Sequence, residues 1–428
     1  MTVVLLIGGF MVALLAGIPV VWAMGLASLV ALFFGDLGMP LAWFAQQTIR
    51  GADSISLAAV PLFLFAAELM NRGGLTRRIM AVAGHLFGRF TGGLGLVNVA
   101  TAFVYGGVSG SATADTGAVA GVMIPAMEAK GYPRAFSAAV TAASGTLGII
   151  VPPSVVFIIY GVVTNTSIAG LFVAGILPGI LLAASFMVTT WIIGRRRGYR
   201  GEETRADAAT IARDTVQALP ALAMPVLLLA AILTGLTTTT EAAALAVVYA
   251  FVVGTLVYRE LPLAALWPSA VETVATTGAI MMIMALATPF AWILTVEQVP
   301  ADVAGWLTAL EVSDAARIAL IIAVLVFVGL WIDLGPALIV LAPILTPIAL
   351  ASGLGPFQTG VIFTVALGVG LFTPPVGTNI FVVCNVARVD MGAVSKELVP
   401  FWLASAVVLA LLALVPGLSE WLPRLMAG

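Results

Sequence analysis

Apolar stretches of about 17 to 25 residues recur along the whole 428-residue chain and are separated by short polar breaks. This pattern restricts the chain to membrane-crossing α-helices, because a lipid-exposed backbone must satisfy its own hydrogen bonds. Hydrophobic residues make up 61% of the chain and charged residues 9%, too little polar surface for a water-soluble globule. We therefore predict an all-α polytopic membrane protein with the lipid bilayer as its solvent.

Charge and metal-binding residues exclude several other classes of function. The 18 Lys and Arg against 20 Asp and Glu leave no basic excess for a nucleic-acid partner. One Cys (Cys384) and one His (His85) cannot supply a disulfide framework or a zinc or haem site. Residues 3–34 lack a basic n-region and a cleavage site, so we expect retained helix rather than a signal peptide.

The apolar pattern predicts twelve helical segments. They are 3–16, 19–36, 55–71, 92–126, 135–165, 168–194, 220–236, 240–258, 270–296, 317–349, 357–386 and 397–417. The blocks 92–126, 135–165 and 357–386 are interrupted by Gly, Ser, Pro and Asp where a spanning helix is normally most apolar. Such breaks need protein or water-lined surroundings. The polar stretch 195–213 is predicted to be a solvated linker with an amphipathic helix.

The two halves of the chain share Gly and Pro residues at a constant offset of 222 residues. The matching positions are Pro125 with Pro347, Gly131 with Gly353, Gly148 with Gly370, and Pro152-Pro153 with Pro374-Pro375. A shared Pro-Pro doublet with further landmarks at the same offset predicts an internal duplication.

Basic residues predict the orientation of the two halves. If block 92–126 is a re-entrant hairpin with both ends in the cytoplasm, 15 of the 18 basic residues are cytoplasmic. These are Arg72, Arg77, Arg78, Arg89, Lys130, Arg134, Arg195, Arg196, Arg197, Arg200, Arg205, Arg213, Arg259, Arg388 and Lys396, which leaves Arg50, Arg317 and Arg424 outside. Block 317–349 then enters from the opposite face. Inverted repeats with paired interrupted segments are typical of secondary transporters with a site at the membrane midplane.

The first hairpin tip, GGVSGSATADTG (106–117), is rich in small oxygen-bearing residues. Oxygens of Ser109, Ser111 and Thr113 can bind a desolvated cation such as sodium, and Gly107 and Gly110 permit a non-helical backbone. Close helix packing by small residues is the alternative.

The partner of this tip is AASGTLGIIVPPSVVF (142–157). Its two prolines lack N–H groups, so the helix must open and leave carbonyls near Gly145 and Thr146 unpaired. The half-helix that follows begins at Ser154, a favourable position for an anionic substrate group. A plain proline kink is the alternative.

In the second half, GLFTPPVGTN (370–379) occupies the equivalent position, with Thr373, Thr378 and Asn379 beside the break. This symmetry predicts a second ion site. The second tip, GLWIDLGPA (329–337), holds Asp333, which could ligate a cation, carry a proton or orient substrate, a structural salt bridge being the alternative.

Three other polar residues receive simpler interpretations. Glu241 follows four threonines at a helix start and is predicted to cap that helix. His85 lies on the amphipathic stretch 72–90 and is predicted to be an interfacial, structural residue. Asp115 is an acid near membrane depth to which we assign no role.

The chain resembles the large membrane subunit of tripartite ATP-independent periplasmic (TRAP) transporters, a DctM-like permease. The resemblance covers nearly the whole length. It is carried by PLFLFAAELMNRGGLTRR (61–78), YGGVSGSATADTGAVAGVMIPAMEAKGYPRAFSAAVTAASGTLGIIVPPS (105–154), LFVAGILPG (171–179), TEAAALAVVYA (240–250) and LGVGLFTPPVGTNIF (367–381).

The resemblance implies an elevator-type ion transporter fold, with an inverted structural repeat, two re-entrant helical hairpins and broken helices. It further implies a multi-pass subunit of the bacterial inner membrane, with sodium ions as coupling ions and no other cofactor. The implied substrate is an organic acid such as a dicarboxylate or sialic acid. A periplasmic substrate-binding protein would deliver it, and a small membrane (DctQ-like) subunit would come from a separate polypeptide.

The resemblance also implies site residues. The sodium-binding set is Ser109, Gly110, Ser111, Thr113, Gly145, Pro152, Gly329, Asp333, Gly335, Gly370, Thr373 and Thr378. The substrate-binding set is Ser111, Ser154, Asp333 and Asn379. The implied domains are scaffold helices and a cytoplasmic arm (1–91), a first transport half (92–194), a cytoplasmic linker (195–219), further scaffold helices (220–316), a second transport half (317–396) and a C-terminal helix (397–428).

Two other functions fit parts of the pattern. A self-sufficient sodium/dicarboxylate carrier would share the architecture but is expected to have Ser-Asn-Thr-like tips, whereas this chain has SGSAT and WIDLG. An intramembrane aspartyl protease could use Asp115 and Asp333 as its acid pair, but it would leave the paired Pro-Pro breaks unexplained.

Overall fold

The computed structural model describes residues 1–201, 207–309 and 312–427, and every regular element within them is helical. The α-helices are α1 (Thr2–Leu15), α2 (Val20–Phe34), α3 (Leu41–Ala52), α4 (Ala59–Arg72), α5 (Leu75–Phe87), α6 (Gly93–Ser109), α7 (Ala112–Ala129), α8 (Arg134–Gly145), α9 (Val155–Thr164), α10 (Ile168–Arg197), α11 (Ala208–Leu233), α12 (Thr239–Val252), α13 (Leu266–Val296), α14 (Val299–Ala309), α15 (Asp314–Gly329), α16 (Leu334–Ala351), α17 (Pro356–Leu371), α18 (Thr378–Ala387), α19 (Met391–Leu414) and α20 (Gly417–Ala427). Seven helical stretches in these ranges are long and apolar enough to cross a membrane. The predicted all-α polytopic fold is confirmed.

The interrupted blocks are pairs of helices, as predicted. Helices α6 and α7 form hairpin 1, which breaks at Gly110 and Ser111. Helices α15 and α16 form hairpin 2, which breaks between Gly329 and Leu334. Broken helix 1 consists of α8, a 3-10 turn (Thr146–Ile149), a loop and α9, and broken helix 2 consists of α17 and α18.

Helix boundaries reproduce the 222-residue offset. When the residue numbers of α7 (112–129) are raised by 222, its first and last residues coincide with those of α16 (334–351). Broken helix 1 up to the end of its 3-10 turn (134–149) matches α17 (356–371) in the same way. The doublets Pro152-Pro153 and Pro374-Pro375 both contain cis peptide bonds. The duplication is therefore present in the fold.

The two hairpins begin at opposite faces of the membrane. Gly92, just before α6, donates a hydrogen bond to the carbonyl of Tyr199, just after α10, at 3.0 Å. At the other end of α10, Gly170 packs against the ring of Phe357 at the start of α17, just beyond hairpin 2. Because the 30-residue α10 is long enough to span the bilayer, its ends mark two faces. We call them the hairpin-1 face and the hairpin-2 face.

Helix α13 organises a second group of helices beside the hairpins. It packs on α2, α3 and α4, and α12 packs on α4. Helix α3 approaches α13 closely at Gly51, where an added Cβ would lie 2.9 Å from the Cβ of Thr288. The rings of Trp43 and Trp292 meet at a centroid distance of 4.4 Å. These contacts fix α3 on α13.

The predicted polar linker, 195–219, is shorter in the structure. Helix α10 continues to Arg197, and α11 begins at Ala208, with Asp207 accepting a hydrogen bond from the Thr210 N–H at 3.3 Å. Charged residues extend both helices beyond the apolar core, so hydropathy alone ended α10 too early, at 194, and began α11 too late, at 220. Arg205, predicted to be cytoplasmic, lies outside the described residues.

The predicted C-terminal helix is two helices. Helix α19 begins at Met391 rather than at 397, because the Asp390 side chain caps its first turn through the Gly392 N–H at 2.8 Å. Helix α20 follows after Pro416. Helices α3 and α14 were also absent from the predicted segments, since both are short and α3 is more polar than a spanning helix.

Two polar residues outside the hairpins are placed by clear partners. Glu241 and Thr238 form a reciprocal cap at the start of α12, with the Thr238 N–H donating to Glu241 Oε2 at 2.7 Å. The predicted capping role of Glu241 is confirmed. The Nε2 atom of His85 lies 2.8 Å from Oδ2 of Asp214, which joins α5 to α11.

Candidate functional site

A cavity of about 140 Å³ lies where the two hairpin tips meet, and we call it the central cavity. Hairpin 1 contributes Gly110, Ser111 and Thr113, and hairpin 2 contributes Asp333 and Gly335. The broken helices add an apolar wall that includes Ile149, Val155, Val156, Ile159 and Leu371. The opposite wall comes from α4 and α13, through Leu64, Thr276, Ile280 and Ile283. The cavity thus separates the hairpins from the α13 group.

A short chain of polar side chains links both hairpins to broken helix 2. The hydroxyl of Thr378 donates to Oδ1 of Asp333 at 3.3 Å. On its other side, Thr378 Oγ1 lies 3.5 Å from Thr113 Oγ1. Three oxygen-bearing side chains predicted from separate segments are therefore neighbours. Such a set offers oxygen atoms to a cation or hydroxyl donors to an anion.

The tip of hairpin 1 rests on the break of broken helix 1. Gly110 has φ of +64°, and a Cβ there would lie 2.9 Å from the Pro153 carbonyl oxygen and 3.0 Å from the Val155 nitrogen. Only glycine satisfies both this backbone conformation and this close approach. Within the tip, the Ser111 N–H donates to Ser109 Oγ at 3.2 Å.

Two more predicted residues belong to the same contact. Gly145, at the end of α8, packs against the Thr116 side chain of α7. The carbonyl of Pro152 lies 3.4 Å from where a Cβ on Gly107 would be. Hairpin 1 and broken helix 1 thus close on each other along several residues around the break.

Hairpin 2 makes the corresponding contact with broken helix 2. Gly329 and Gly370 meet backbone to backbone, and a Cβ on Gly329 would lie 3.0 Å from the Leu367 carbonyl oxygen. The Val376 N–H donates to the Leu330 carbonyl at 3.2 Å. Both hairpins are therefore held at their tips by the break of their own partner helix.

Of the fourteen predicted site residues, five line the central cavity, and among the other nine, Ser154, Asn379 and Thr373 donate to backbone carbonyls. Ser154 is fully buried, and its hydroxyl donates to the Ile149 carbonyl at 2.5 Å within broken helix 1. Asn379 is also fully buried and donates from Nδ2 to the Ala142 carbonyl at 3.2 Å, which ties α18 to α8. The hydroxyl of Thr373, just after α17, donates to the Val369 carbonyl of that helix. Their assignment as substrate or ion ligands stays a prediction.

Hairpin 1 contains a buried carboxylate to which the sequence patterns assign no function. Asp115, in the first turn of α7, is fully buried, and neither carboxylate oxygen has a hydrogen-bond partner among the described residues. It lies against the backbone of Gly148 in broken helix 1. An unpaired buried charge is costly, so a carboxylate in this position requires a cation or a proton. The only sequence signal was an acid in the middle of an apolar block.

The wall that α13 contributes to the central cavity is also not predicted by the sequence patterns. Thr276, Ile280 and Ile283 recur at helical spacing and face the hairpin tips across the central cavity. In the sequence they belong to an ordinary apolar segment, and periodicity alone does not distinguish a lipid-facing stripe from a cavity wall.

These features define a class of protein. A duplicated and inverted helical fold, with two re-entrant tips meeting beside broken helices, is the architecture of a secondary transporter. The solved structure of the YdaH transporter of Alcanivorax borkumensis has the same fold, with a TM-score of 0.65 at 17% identity over 90% of each chain.

The family follows from comparison of sequences. The family described as "Tripartite ATP-independent periplasmic transporter, DctM component" matches residues 7–418. The chain is 35% identical to the 2,3-diketo-L-gulonate TRAP transporter large permease protein YiaN of Escherichia coli, over 98% of each chain. It is 36% identical to the sialic acid TRAP transporter large permease protein SiaM of Vibrio cholerae, again over 98% of each. The chain therefore belongs to the DctM family of TRAP transporter large permeases.

Membership in this family confirms the resemblance drawn from the motifs. The chain is a multi-pass protein of the bacterial inner membrane, and it is a transport protein rather than an enzyme.

Proposed function

We propose that this chain is the large transmembrane subunit of a sodium-coupled importer of an organic acid. A periplasmic binding protein delivers the acid, and a small DctQ-like membrane subunit completes the assembly. Membership in a tripartite family supports these partners. The compounds named for two relatives, 2,3-diketo-L-gulonate and sialic acid, support a carboxylate substrate.

The meeting of both hairpin tips at the central cavity carries the proposal. Substrate binds there, against Ser111 and Asp333, with the tips on one side and α13 on the other. Hairpins and broken helices then move as one body past α4 and α13, which exposes the substrate to the cytoplasm. Ser154 and Asn379 support this body by bonding across its breaks rather than by lining the cavity.

Charge balance supports a coupling cation. The described residues that line the central cavity include Asp333 but no Lys or Arg. An organic anion entering this cavity would meet a like charge unless cations bind with it, and like charges at short range repel strongly. Sodium requires oxygen ligands, and Thr113 of hairpin 1, Asp333 of hairpin 2 and Thr378 of broken helix 2 supply them where the two tips meet.

Asp115 supports a second cation position behind the first tip. Its unpartnered carboxylate lies against Gly148 in the 3-10 turn of broken helix 1. Ions bound at both tips would hold each hairpin on its broken helix and so organise the cavity between them. Coupling then arises because ions and substrate favour the same state.

Uptake into proteoliposomes tests the proposal. They would contain this chain and its small subunit, with and without an inward sodium gradient, and with the binding protein loaded with candidate organic acids. We expect uptake to require both sodium and the binding protein. Uptake from the membrane components alone, unaffected by binding protein, would instead indicate the self-sufficient carrier.

The Asp333→Ala variant tests the site within the same assay. We expect uptake to be abolished while the protein remains folded. The matched control is Asp314→Ala, since Asp314 lies on hairpin 2 as well but is exposed and paired with Arg317 at 3.0 Å. Near-normal uptake by Asp333→Ala would remove Asp333 from the site.

A further inference from the structure

Three cavities follow one another along a single face of α13. The central cavity is flanked by an inner cavity of about 90 Å³, bordered by Glu68 and Glu272, and by an outer cavity of about 370 Å³, bordered by Arg50. The residues that α13 contributes are Glu272, Thr273, Thr276, Ile280, Ile283, Met284, Ala287, Thr288, Ala291, Trp292 and Thr295. The three cavities are thus arranged in order along α13 between Glu272 and Thr295.

The outer cavity lies between the two groups of helices. Its walls come from α3 and α13 on one side and from α9 and α16 on the other, through Val162, Val163, Ile339 and Pro343. Helices α9 and α16 are joined by a hydrogen bond between Tyr160 and Thr346 at 3.1 Å and belong to the hairpin group. A ligand in the outer cavity would therefore contact both groups before the hairpins move.

Arg50 is the one charged residue among those that line the outer cavity. In the described part of the chain, no acidic side chain lies within ion-pair distance of it. The other two basic residues predicted outside are paired, Arg317 with Asp314 and Arg424 with Glu420. Arg50 therefore has no ion-pair partner among the described residues.

The backbone around Arg50 is fixed on α13. Gly51, the next residue, lies so close to α13 that an added Cβ would be 2.5 Å from the Met284 carbonyl oxygen. The backbone that carries the Arg50 side chain is thus fixed to the α13 group rather than to the hairpins. Planar, permanently charged guanidinium is suited to bidentate binding of a carboxylate or sulfonate.

We infer that the outer cavity is a receiving site for the organic anion, with Arg50 as its binding residue. The direction of use rests on the proposed function, since import delivers the anion from the hairpin-2 face. The outer cavity is larger than the central one, and its volume is within the range of small-ligand sites. The Arg50 charge attracts the anion there, and the central cavity, without a basic residue, receives it together with cations.

Charge-selective cysteine labelling tests the receiving site without knowledge of the substrate. Thr295→Cys places a thiol in the outer cavity after the native thiol is removed by Cys384→Ser. The thiol is labelled with anionic sulfonatoethyl methanethiosulfonate or with the cationic trimethylammonioethyl analogue. We expect the anionic-to-cationic rate ratio to fall about tenfold in Arg50→Gln and to be retained in Arg50→Lys, because a lining cation raises the local anion concentration.

Two controls make the result specific. Arg317→Gln removes another basic residue predicted at the same face and should leave the ratio unchanged. Thr234→Cys, exposed at the end of α11, should show no dependence on Arg50. An anionic-to-cationic ratio in the Thr295→Cys variant that is identical with and without Arg50 would overturn the inference.

Uptake measurements separate this inference from the proposed function. In proteoliposomes that take up substrate, Arg50→Gln should raise the concentration of loaded binding protein for half-maximal uptake about tenfold, with the maximal rate preserved. Unchanged half-saturation would contradict a receiving role. Absence of uptake in the wild-type assembly would count against the proposed function, and the labelling ratio would still decide the role of Arg50.

Discussion

The first helices of the two hairpins differ in polarity: α6 buries the polar side chains of Asn98 and Thr101, whereas its counterpart α15 is apolar beyond Arg317. In the first half, Asn98 donates from Nδ2 to Thr141 Oγ1 at 2.6 Å and accepts from Ser144 Oγ at 3.1 Å. The unpartnered Asp115 lies in the same half. In the second half, α15 carries no charged, amide or hydroxyl side chain between Arg317 and its end.

The contrast is visible residue by residue at the 222-residue offset. Thr141 corresponds to Phe363, Ser144 to Ala366, Asp115 to Ala337, and Ser111 to Asp333. The acid of the first half thus lies one turn inside its helix, while the acid of the second half lies at the tip and faces the central cavity. The two halves share the same backbone path but carry their acid at different positions, so cation sites at the two tips would be chemically different.

Among the changes that test this comparison of the two halves, the largest effect is expected from Asp115. Replacement Asp115→Asn should raise the sodium concentration for half-maximal uptake about 10- to 100-fold, because a charged ligand contributes roughly 1.5 to 3 kcal/mol. The measurement is sodium-dependent uptake in proteoliposomes. Asp390→Asn, a change to a carboxylate at the start of α19, is the control and should leave this value unchanged.

A relocation variant then challenges the asymmetry directly. Asp115→Ala combined with Ala337→Asp moves the acid to the equivalent position of the second half. We expect the sodium concentration for half-maximal uptake to remain as high as in Asp115→Ala alone, since the first tip would still lack its carboxylate. If Asp115→Asn had the same sodium concentration for half-maximal uptake as wild type, this carboxyl would be a protonated structural group.

A pair of glycines separates contact from backbone conformation. Gly110→Ala places a Cβ against the Pro153 carbonyl, whereas Gly131→Ala, at φ of +83°, meets open space. Both changes incur about 1 to 2 kcal/mol for the left-handed conformation. Only Gly110→Ala should displace the tip, and we expect its uptake to be at least about tenfold lower than that of Gly131→Ala. Equal uptake by both variants would show that the contact between tip and break is unimportant.

Sequence patterns were sufficient for the architecture. Pro-Pro doublets and glycines at a constant offset predicted the duplication, and small polar residues inside apolar blocks predicted both hairpins and both broken helices. These signals are strong because a break in a membrane helix needs specific residues to satisfy or remove backbone groups. The charged ends of α10 and α11 were misplaced, because hydropathy detects the apolar core and not the whole helix.

Side-chain contacts were less predictable. The sequence predicted that Ser111, Thr113, Asp333 and Thr378 flank breaks at two tips with a substrate site between them, and in the structure these two tips meet at the central cavity. The sequence could not show that Ser154 turns back to the Ile149 carbonyl, because a polar side chain beside a break can satisfy the backbone or face a ligand. Long-range neighbours such as the α13 wall and Arg50 depend on packing between segments that share no local signal.

A moderate effect is expected from removing the hydrogen bonds of the buried Asn98 amide. Asn98→Leu removes both hydrogen bonds to α8, but Thr141 and Ser144 keep bonds to carbonyls in their own helix at 2.8 Å. We therefore expect a loss of only about 1 kcal/mol, measured as unfolding of purified protein. The double variant Asn98→Leu with Thr141→Val should lose less than the sum of the single variants, because it removes both partners of one bond. Strict additivity would mean that the Asn98–Thr141 bond contributes nothing.

The smallest effect concerns the asymmetry outside the membrane. Helix α5 carries Arg77 and Arg78, which lie 2.7 and 2.8 Å from the Glu260 carboxylate, whereas its counterpart α14 has no basic residue. The hydrogen bond from Arg78 holds the pKa of Glu260 below its ordinary value. Because the pKa is lowered on folding, the pair stabilises the protein above the unfolded pKa of about 4.3, and this stabilisation is lost as pH falls through the folded value.

Thermal unfolding at two pH values measures this contribution. At pH 7, Glu260→Gln should lower stability by less than about 1 kcal/mol, since the pair is partly exposed and screened by solvent. At a pH below the folded pKa of Glu260, wild type and variant should converge, because the carboxyl is then protonated in both states. A difference between wild type and Glu260→Gln that persists undiminished at low pH would show that Glu260 contributes through packing rather than charge, and the charge asymmetry between α5 and α14 would then carry no stability.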